Sequence, residues 1–141
     1  MIVIQRAVSP KGVPAPRSLR RWAQLALDRL RAEITLRIVT EAESRTLNRR
    51  YRGKNKPTNV LSFPYDASPL SGDVVICASV VNREAREQNK PRSAHWAHMV
   101  VHGVLHLRGL DHIKSSDARV MEAKERAILA TLSYPDPYLL R

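Results

Sequence analysis

All five histidines of this chain lie in one short stretch, from His95 to His112. His102 and His106 have an i,i+4 spacing, which places both imidazoles on one helix face, one turn apart, where they can reach a single ion. Gly109 can adopt a positive φ, end the helix and turn the chain so that His112 approaches from the side. The spacing therefore predicts a buried helix with two metal ligands and a third ligand on the loop that follows it.

The residue after the first of these ligands distinguishes the motif from a protease site. The order His-x-x-x-His-x-x-Gly-x-x-His is that of the metzincin proteases, in which a catalytic Glu follows the first histidine. Here that position is Gly103. The motif predicts one Zn²⁺ ion on three histidines, with an open fourth position and no general base at residue 103. Nickel, copper or iron could occupy the same three imidazoles.

The predicted metal helix, residues 94–107, is apolar almost all round and should therefore be buried. Imidazoles in such a helix need partners, and a metal ion would supply them. His98, one turn before His102, is expected to support the site structurally or through a hydrogen bond to a ligand, rather than to touch substrate. We expect His95 on the surface. Asp111 is expected to accept a hydrogen bond from a ligand histidine or to cap the loop, rather than to act as a base.

The positive charge of the chain is concentrated in its first part. The net charge is +11, and residues 1–56 contain fourteen Lys/Arg against four Asp/Glu, whereas residues 57–141 contain ten against nine. The densest run, residues 45–56, has no acid. A one-sided field of this kind suits a polyanion, most simply nucleic acid, although a solvated basic face is the alternative. The predicted RNA-binding residues are Arg49, Arg50, Arg52, Lys54 and Lys56.

Length and composition predict one domain over residues 1–141. The single cysteine, Cys77, excludes an internal disulfide and fits a reducing cytosol. No apolar run is long enough to span a membrane, and the N-terminus does not read as a signal peptide. We therefore expect a cytoplasmic protein without a membrane partner.

Hydrophobic periodicity predicts interleaved strands and helices, and hence an α+β fold with about four strands packed with about five helices. By analogy with zinc proteases, the strand 59–65, with Asn59 and Ser62, is expected to run beside the metal helix and to form one wall of a cleft, with Lys54, Lys56 and Thr58 near phosphates. Ordinary strand and turn chemistry in this segment is the alternative. The predicted strands are 2–8, 35–39, 59–65 and 73–79, and the predicted helices are 18–33, 40–51, 79–88, 94–107 and 116–132.

Several motifs of the chain resemble those of the YbeY family of bacterial endoribonucleases. They are YRGKNKPTNVLSFPYD (51–66), GDVVICASVV (72–81), HWAHMVVHGVLHLRGLDH (95–112) and YPDPY (134–138). The resemblance implies a compact α+β fold with a mixed sheet, related to the zinc metalloproteases (zincin-like). It implies one zinc ion held by His102, His106 and His112, and a role for Arg52 of the YRGK motif in RNA cleavage. The family motif also has glycine at the position of Gly103.

The resemblance further implies a zinc-dependent endoribonuclease, specific for single strands, in the maturation of ribosomal RNA (the 16S 3′ end) and in ribosome quality control. Ribosomal RNA precursors would be the substrate, and the ribosome or its proteins would be partners. We expect His102 and Arg52 to be catalytic, Arg52 because its two parallel donors match a phosphate. Either a metal-activated water or the RNA 2′-hydroxyl could attack phosphorus. The alternatives are a non-catalytic ribosome assembly factor with a structural metal, and a metalloprotease, against which Gly103 argues.

Overall fold

The computed structural model describes residues 1–110 and 115–139, which form four strands and five helices. The strands are β1 (Ile2–Arg6), β2 (Ala32–Val39), β3 (Val60–Ala67) and β4 (Leu70–Cys77). The helices are α1 (Pro16–Leu27), α2 (Glu41–Arg52), α3 (Ala78–Glu87), α4 (Arg92–Leu107) and α5 (Ser115–Thr131).

The strands form one mixed sheet in the order β1-β2-β4-β3. The strands β1, β2 and β4 are parallel: α1 connects β1 to β2, and α2 with β3 connects β2 to β4. Strand β3 pairs antiparallel with β4 through a tight hairpin. The α+β fold expected from the sequence is therefore confirmed. In this order β3 is an edge strand, which leaves one side of its backbone outside the sheet.

The two faces of the sheet carry different helices. On one face, inward side chains such as Ile34, Leu36 and Val74 join α1 and α4 in the main core. On the other face, a smaller cluster around Leu61 and Val75 packs against Leu47 of α2. Because side chains alternate along a strand, β3 contributes to both clusters, and α2 and α4 flank it from opposite faces.

The boundary between α1 and β2 differs from the prediction of a helix over 18–33. The helix ends at Leu27, because Asp28 has φ 56° and its N–H donates back to Gln24 and Leu25. Ala32 and Ile34 then point into the core with strand alternation, so β2 begins earlier than residue 35. Helix α2 matches its prediction, and the Thr40 hydroxyl accepts from the Glu43 N–H at its start.

Helix α4 is the central buried helix, as its composition predicts. Trp96, Val100 and Leu105 have no exposed surface, and the indole N–H of Trp96 donates to Asn82 on α3. Over residues 1–110 and 115–139, none of the helices has the length and apolar content needed to cross a membrane.

Candidate metal centre

The C-terminal half of α4 brings together two of the predicted metal ligands. His102 and His106 are half-buried, and their ring centroids lie 4.7 Å apart with an interplanar angle of 70°. Gly109 has φ 90°, and its N–H donates to the His106 carbonyl where the helix ends. The predicted third ligand, His112, and its neighbour Asp111 lie outside the described residues.

A buried carboxylate on α5, not anticipated from the sequence, contacts His102 of this pair together with His98, one turn earlier on α4. Glu125 is fully buried, and its Oε2 accepts from His98 Nε2 at 2.6 Å and from His102 Nδ1 at 3.1 Å. Its Oε1 accepts from the Tyr138 hydroxyl at 2.7 Å. Burial raises the pKa of Glu125, but the hydrogen bonds with His102 and His98 outweigh it and lower the pKa to about 2. Glu125 is therefore an ionised acceptor inside the protein.

This carboxylate decides which nitrogen of His102 carries the lone pair. An ionised carboxylate can only accept, so His102 is protonated at Nδ1, and the lone pair lies on Nε2. A histidine that donates one ring N–H to a carboxylate and uses its other nitrogen as a ligand is the usual arrangement at protein metal sites. A metal ion bound to His102 would therefore use Nε2.

His98 lies deeper in the same cluster. It is nearly buried, and burial lowers its pKa more strongly than Glu125 raises it. The structure places His98 beside Glu125 and close to Tyr138, at ring centroids 5.5 Å apart. Its contacts are therefore with Glu125, which also accepts from His102, and with Tyr138; the supporting role of His98 stays a prediction.

Ligand atoms of His98, His102 and Glu125 all lie within 4.8 Å of one another, so this group could also bind a metal ion. Two ligands of one tetrahedral zinc ion are about 3.3 Å apart, because each bond is about 2.0–2.1 Å long. The contact of 2.6 Å between His98 Nε2 and Glu125 Oε2 is shorter and has the length of a charge-assisted hydrogen bond. The geometry therefore favours Glu125 as the acceptor that orients His102.

The close packing of α4 on the sheet explains why residue 103 is glycine. A Cβ at Gly103 would lie 2.5 Å from Val74 Cγ1 and 3.1 Å from Val60 Cγ2. The Ser62 hydroxyl also donates to the Gly103 carbonyl at 2.8 Å, which joins β3 to the metal helix. Strand 59–65 therefore runs beside α4 as β3, as predicted, and a protease Glu has no space at residue 103.

Replacing Gly103 by Ala should destabilise the protein by about 1–3 kcal/mol, because the new methyl group overpacks a tight contact with a rigid valine. This loss should appear even though alanine favours a helix over glycine by about 1 kcal/mol. Chemical denaturation measures it, and Ser93→Ala, at an exposed position of the same helix, is the control. A Gly103→Ala protein as stable as the wild type would contradict the packing argument.

The prediction of a surface position for His95 is wrong. His95 is buried, and its Nε2 lies 2.9 Å from Glu84 Oε1, while Asn59 Nδ2 donates to the same carboxylate at 3.1 Å. Burial raises the pKa of Glu84, but the hydrogen bonds from His95 and Asn59 outweigh it and lower the pKa. The cluster joins α3 and α4 to the residue before β3.

The predicted RNA-binding residues lie at the C-terminal end of α2 and on the loop after it. Arg49, Arg50, Arg52, Lys54 and Lys56 are all exposed. The structure places Arg52 in no hydrogen bond or ion pair with the described histidines, and α2 lies on the sheet face opposite α4.

Arg52 and His106 nevertheless lie toward the same end of the edge strand. The Tyr51 ring packs 5.2 Å from Phe63 on one face of β3. On the other face, a Cβ at Gly72 would lie 2.7 Å from both Leu107 Cδ2 and the Phe63 carbonyl. The C-terminal ends of α2 and α4 therefore flank the same short segment of β3.

A cleft of about 770 Å³ opens at this end of α4. Its lining residues include His106 and Gly109, the Tyr65 and Pro69 side of the β3–β4 hairpin, and Arg31. Tyr65 hydrogen-bonds to Asp73, which raises its pKa to about 12, so its hydroxyl remains a neutral donor and acceptor. We call this space the metal cleft; it can admit a polar substrate to His106.

Comparison with known proteins gives the chain a family. A sequence model of endoribonuclease YbeY matches residues 11–133. A relative from Methylococcus capsulatus named Endoribonuclease YbeY is 53% identical over 142 residues, which cover 97% of this chain and 94% of the relative. The solution structure of TM1509 from Thermotoga maritima superposes with a TM-score of 0.70 at 26% identity, covering 99% of this chain and 100% of that one. On this sequence similarity and shared fold, the chain belongs to the YbeY family of endoribonucleases.

Proposed function

We propose that this chain is a zinc-dependent endoribonuclease that cuts single-stranded segments of ribosomal RNA precursors, including the 3′ end of 16S RNA, in the cytoplasm and in association with the ribosome. Family membership supports the endoribonuclease activity. The observation that carries the metal dependence is the pair His102 and His106, with Glu125 bound to His102 Nδ1.

The donor atoms fit a divalent ion such as Zn²⁺. Imidazoles are borderline ligands that suit zinc, and the tautomer fixed by Glu125 offers His102 Nε2. In this proposal His102 and His106 hold the ion together with His112. When bound, the ion supplies Lewis-acid activation of a phosphoryl oxygen and of water.

Other residues of the chain orient the ligands and stabilise the reacting phosphate. Glu125, held by Tyr138 and His98, fixes the His102 ring and keeps its Nδ1 protonated. Ser62 fixes the metal helix against β3. Arg52 meets the negative charge that develops on the phosphate oxygens, with two parallel N–H donors. Either the RNA 2′-hydroxyl or a water molecule can attack in this site, because neither route needs a carboxylate at residue 103.

The exposed basic residues on and after α2 hold the RNA strand beside the edge of the sheet. Arg49, Arg50, Lys54 and Lys56 project from the same segment as Arg52 and can contact successive phosphates. Such contacts position a strand without reading its bases. We therefore propose that RNA shape or a ribosomal partner selects the cleavage site.

The test of this function is cleavage of an end-labelled single-stranded RNA by the purified protein. Zinc-loaded protein should cut the single strand, leave the same sequence intact in a duplex, lose activity with a chelator and regain it when zinc is restored. Cleavage that persists unchanged in excess chelator would contradict the proposal, since the ion would then contribute nothing to the reaction.

A second candidate, a non-catalytic assembly factor with a structural metal, is favoured by the burial of His98 and Glu125 beside the half-buried His102. It predicts that a folded protein without metal still supports ribosomal RNA processing in cells that lack the wild-type protein. The proposed nuclease predicts that such a protein fails to do so. Complementation with a folded variant that lacks metal therefore separates the two functions.

A further inference from the structure

A second cleft, away from the α2 segment, is lined by arginines. It measures about 730 Å³ and lies between α1 and the start of β2. Four arginines contribute to its wall, and Glu33 is the single acid among its described lining residues. All four are exposed: Arg17, Arg20, Arg21 and Arg31.

This arginine cleft adjoins the metal cleft. Leu30, Arg31 and Pro69 line both spaces, so the two clefts share a wall. An extended strand lying at His106 can therefore reach Arg31 and continue over this shared wall toward α1. None of the described residues that line either cleft belongs to α2, so the arginine cleft is distinct from the basic segment on and after α2.

The positive charge of this cleft is not neutralised within the protein. Arg37 and Arg83 each pair with a glutamate, but in the described part of the chain no carboxylate pairs with Arg17, Arg21 or Arg31. Arg17, Arg20 and Arg21 have the i,i+3 and i,i+4 spacing that places side chains on one helix face. Guanidinium groups are the side chains best matched to phosphate oxygens.

We propose that the arginine cleft binds the phosphate backbone of an RNA strand whose scissile segment lies at the metal centre. The inference rests on the proposed function, because it takes RNA as the substrate. None of the described residues that line this cleft is aromatic, so bases have no stacking surface there. The contact is therefore electrostatic and independent of sequence, and it adds affinity only for strands long enough to pass Arg31.

The test is the salt dependence of RNA affinity, measured by fluorescence anisotropy on the metal-loaded protein. The probe is a 2′-O-methyl RNA, which lacks the 2′-hydroxyl nucleophile. The variant Arg17→Gln/Arg21→Gln removes two charges from the cleft, and Arg29→Gln/Arg86→Gln removes two exposed charges that do not line it. For a long probe, the cleft variant should lose roughly tenfold in affinity, and its slope against log salt should shrink by about 1.4, or 0.7 per lost phosphate contact.

Probe length supplies the second comparison. A tetranucleotide occupies only the metal cleft, so it should bind the wild type and the cleft variant with equal affinity. The long probe should bind the cleft variant more weakly than the wild type. Equal losses in the two double variants, or an unchanged slope in the cleft variant, would overturn the proposal.

The cleft and the nuclease activity can fail separately. Anisotropy measures binding without cleavage. If the protein binds the long probe through Arg17 and Arg21 but never cuts RNA, the proposed role of the cleft stands and the proposed nuclease activity is wrong. If the wild type cuts RNA with zinc but the two double variants bind the long probe with equal affinity, the nuclease activity stands and the proposed role of the arginine cleft is wrong.

Discussion

The variant His106→Ala should cut RNA about a thousandfold more slowly than the wild type, or not detectably. Removal of this imidazole leaves His102 as the one predicted ligand in the described part of the chain, and the contribution of a bound metal, several kcal/mol, is lost with the ion. Each 1.36 kcal/mol corresponds to a factor of about ten in rate, which gives the expected size. Metal content should fall in parallel, as measured by elemental analysis after dialysis.

The same variant distinguishes the two metal groups that contain His102. If the ion were held by His98, His102 and Glu125, His106→Ala would keep its metal, and Glu125→Gln would lose it. Our account predicts loss of the ion in His106→Ala and only a tenfold to hundredfold weaker affinity in Glu125→Gln, because Glu125 acts through His102. Because His106 is half-exposed, its variant should keep the circular dichroism spectrum of the wild type.

Arg52→Lys should lower kcat by about a hundredfold, with little change in KM, because a lysine keeps the charge but cannot donate two parallel bonds to a phosphate in the transition state. The substitution also keeps a cation in the last turn of α2, so the helix should remain stable. Arg86→Lys, on the exposed side of α3, is the matched control and should behave like the wild type.

The kinetic pattern decides what Arg52 does. A rise in KM alone would indicate that Arg52 only attracts the strand, as its neighbours on α2 do. Full activity of Arg52→Lys would remove it from the mechanism and leave a basic surface in its place. Metal content should equal that of the wild type, since α2, which carries Arg52, packs on the sheet face opposite α4.

The parts of the site that lie on one element were predictable from sequence. Local rules predict three features of the site: the i,i+4 spacing of His102 and His106, the burial of α4 and the left-handed conformation of Gly109. The sequence shows that residue 103 is glycine and not the catalytic Glu of a protease. It does not show the close approach of Gly103 to Val74, because this contact joins a helix to a strand and no local pattern predicts such a distance.

Glu125 was missed because it lies between Lys124 and Arg126 and so resembles part of a solvated face. A signal was nevertheless present, since Met121 and Leu129, four residues to either side of Glu125, are buried, and helical spacing puts all three on one face. A carboxylate on a buried face requires donors, which here come from α4 and from Tyr138. His95 was misplaced for a similar reason, because its partner Glu84 belongs to another helix.

The most direct measurement is X-ray absorption spectroscopy at the zinc edge of the zinc-loaded protein. Our account predicts one tightly bound ion with three imidazoles at about 2.0–2.1 Å and one further light ligand. A spectrum with two imidazoles and a carboxylate would place the ion among His98, His102 and Glu125, and would contradict the assignment of an open three-histidine site to this chain.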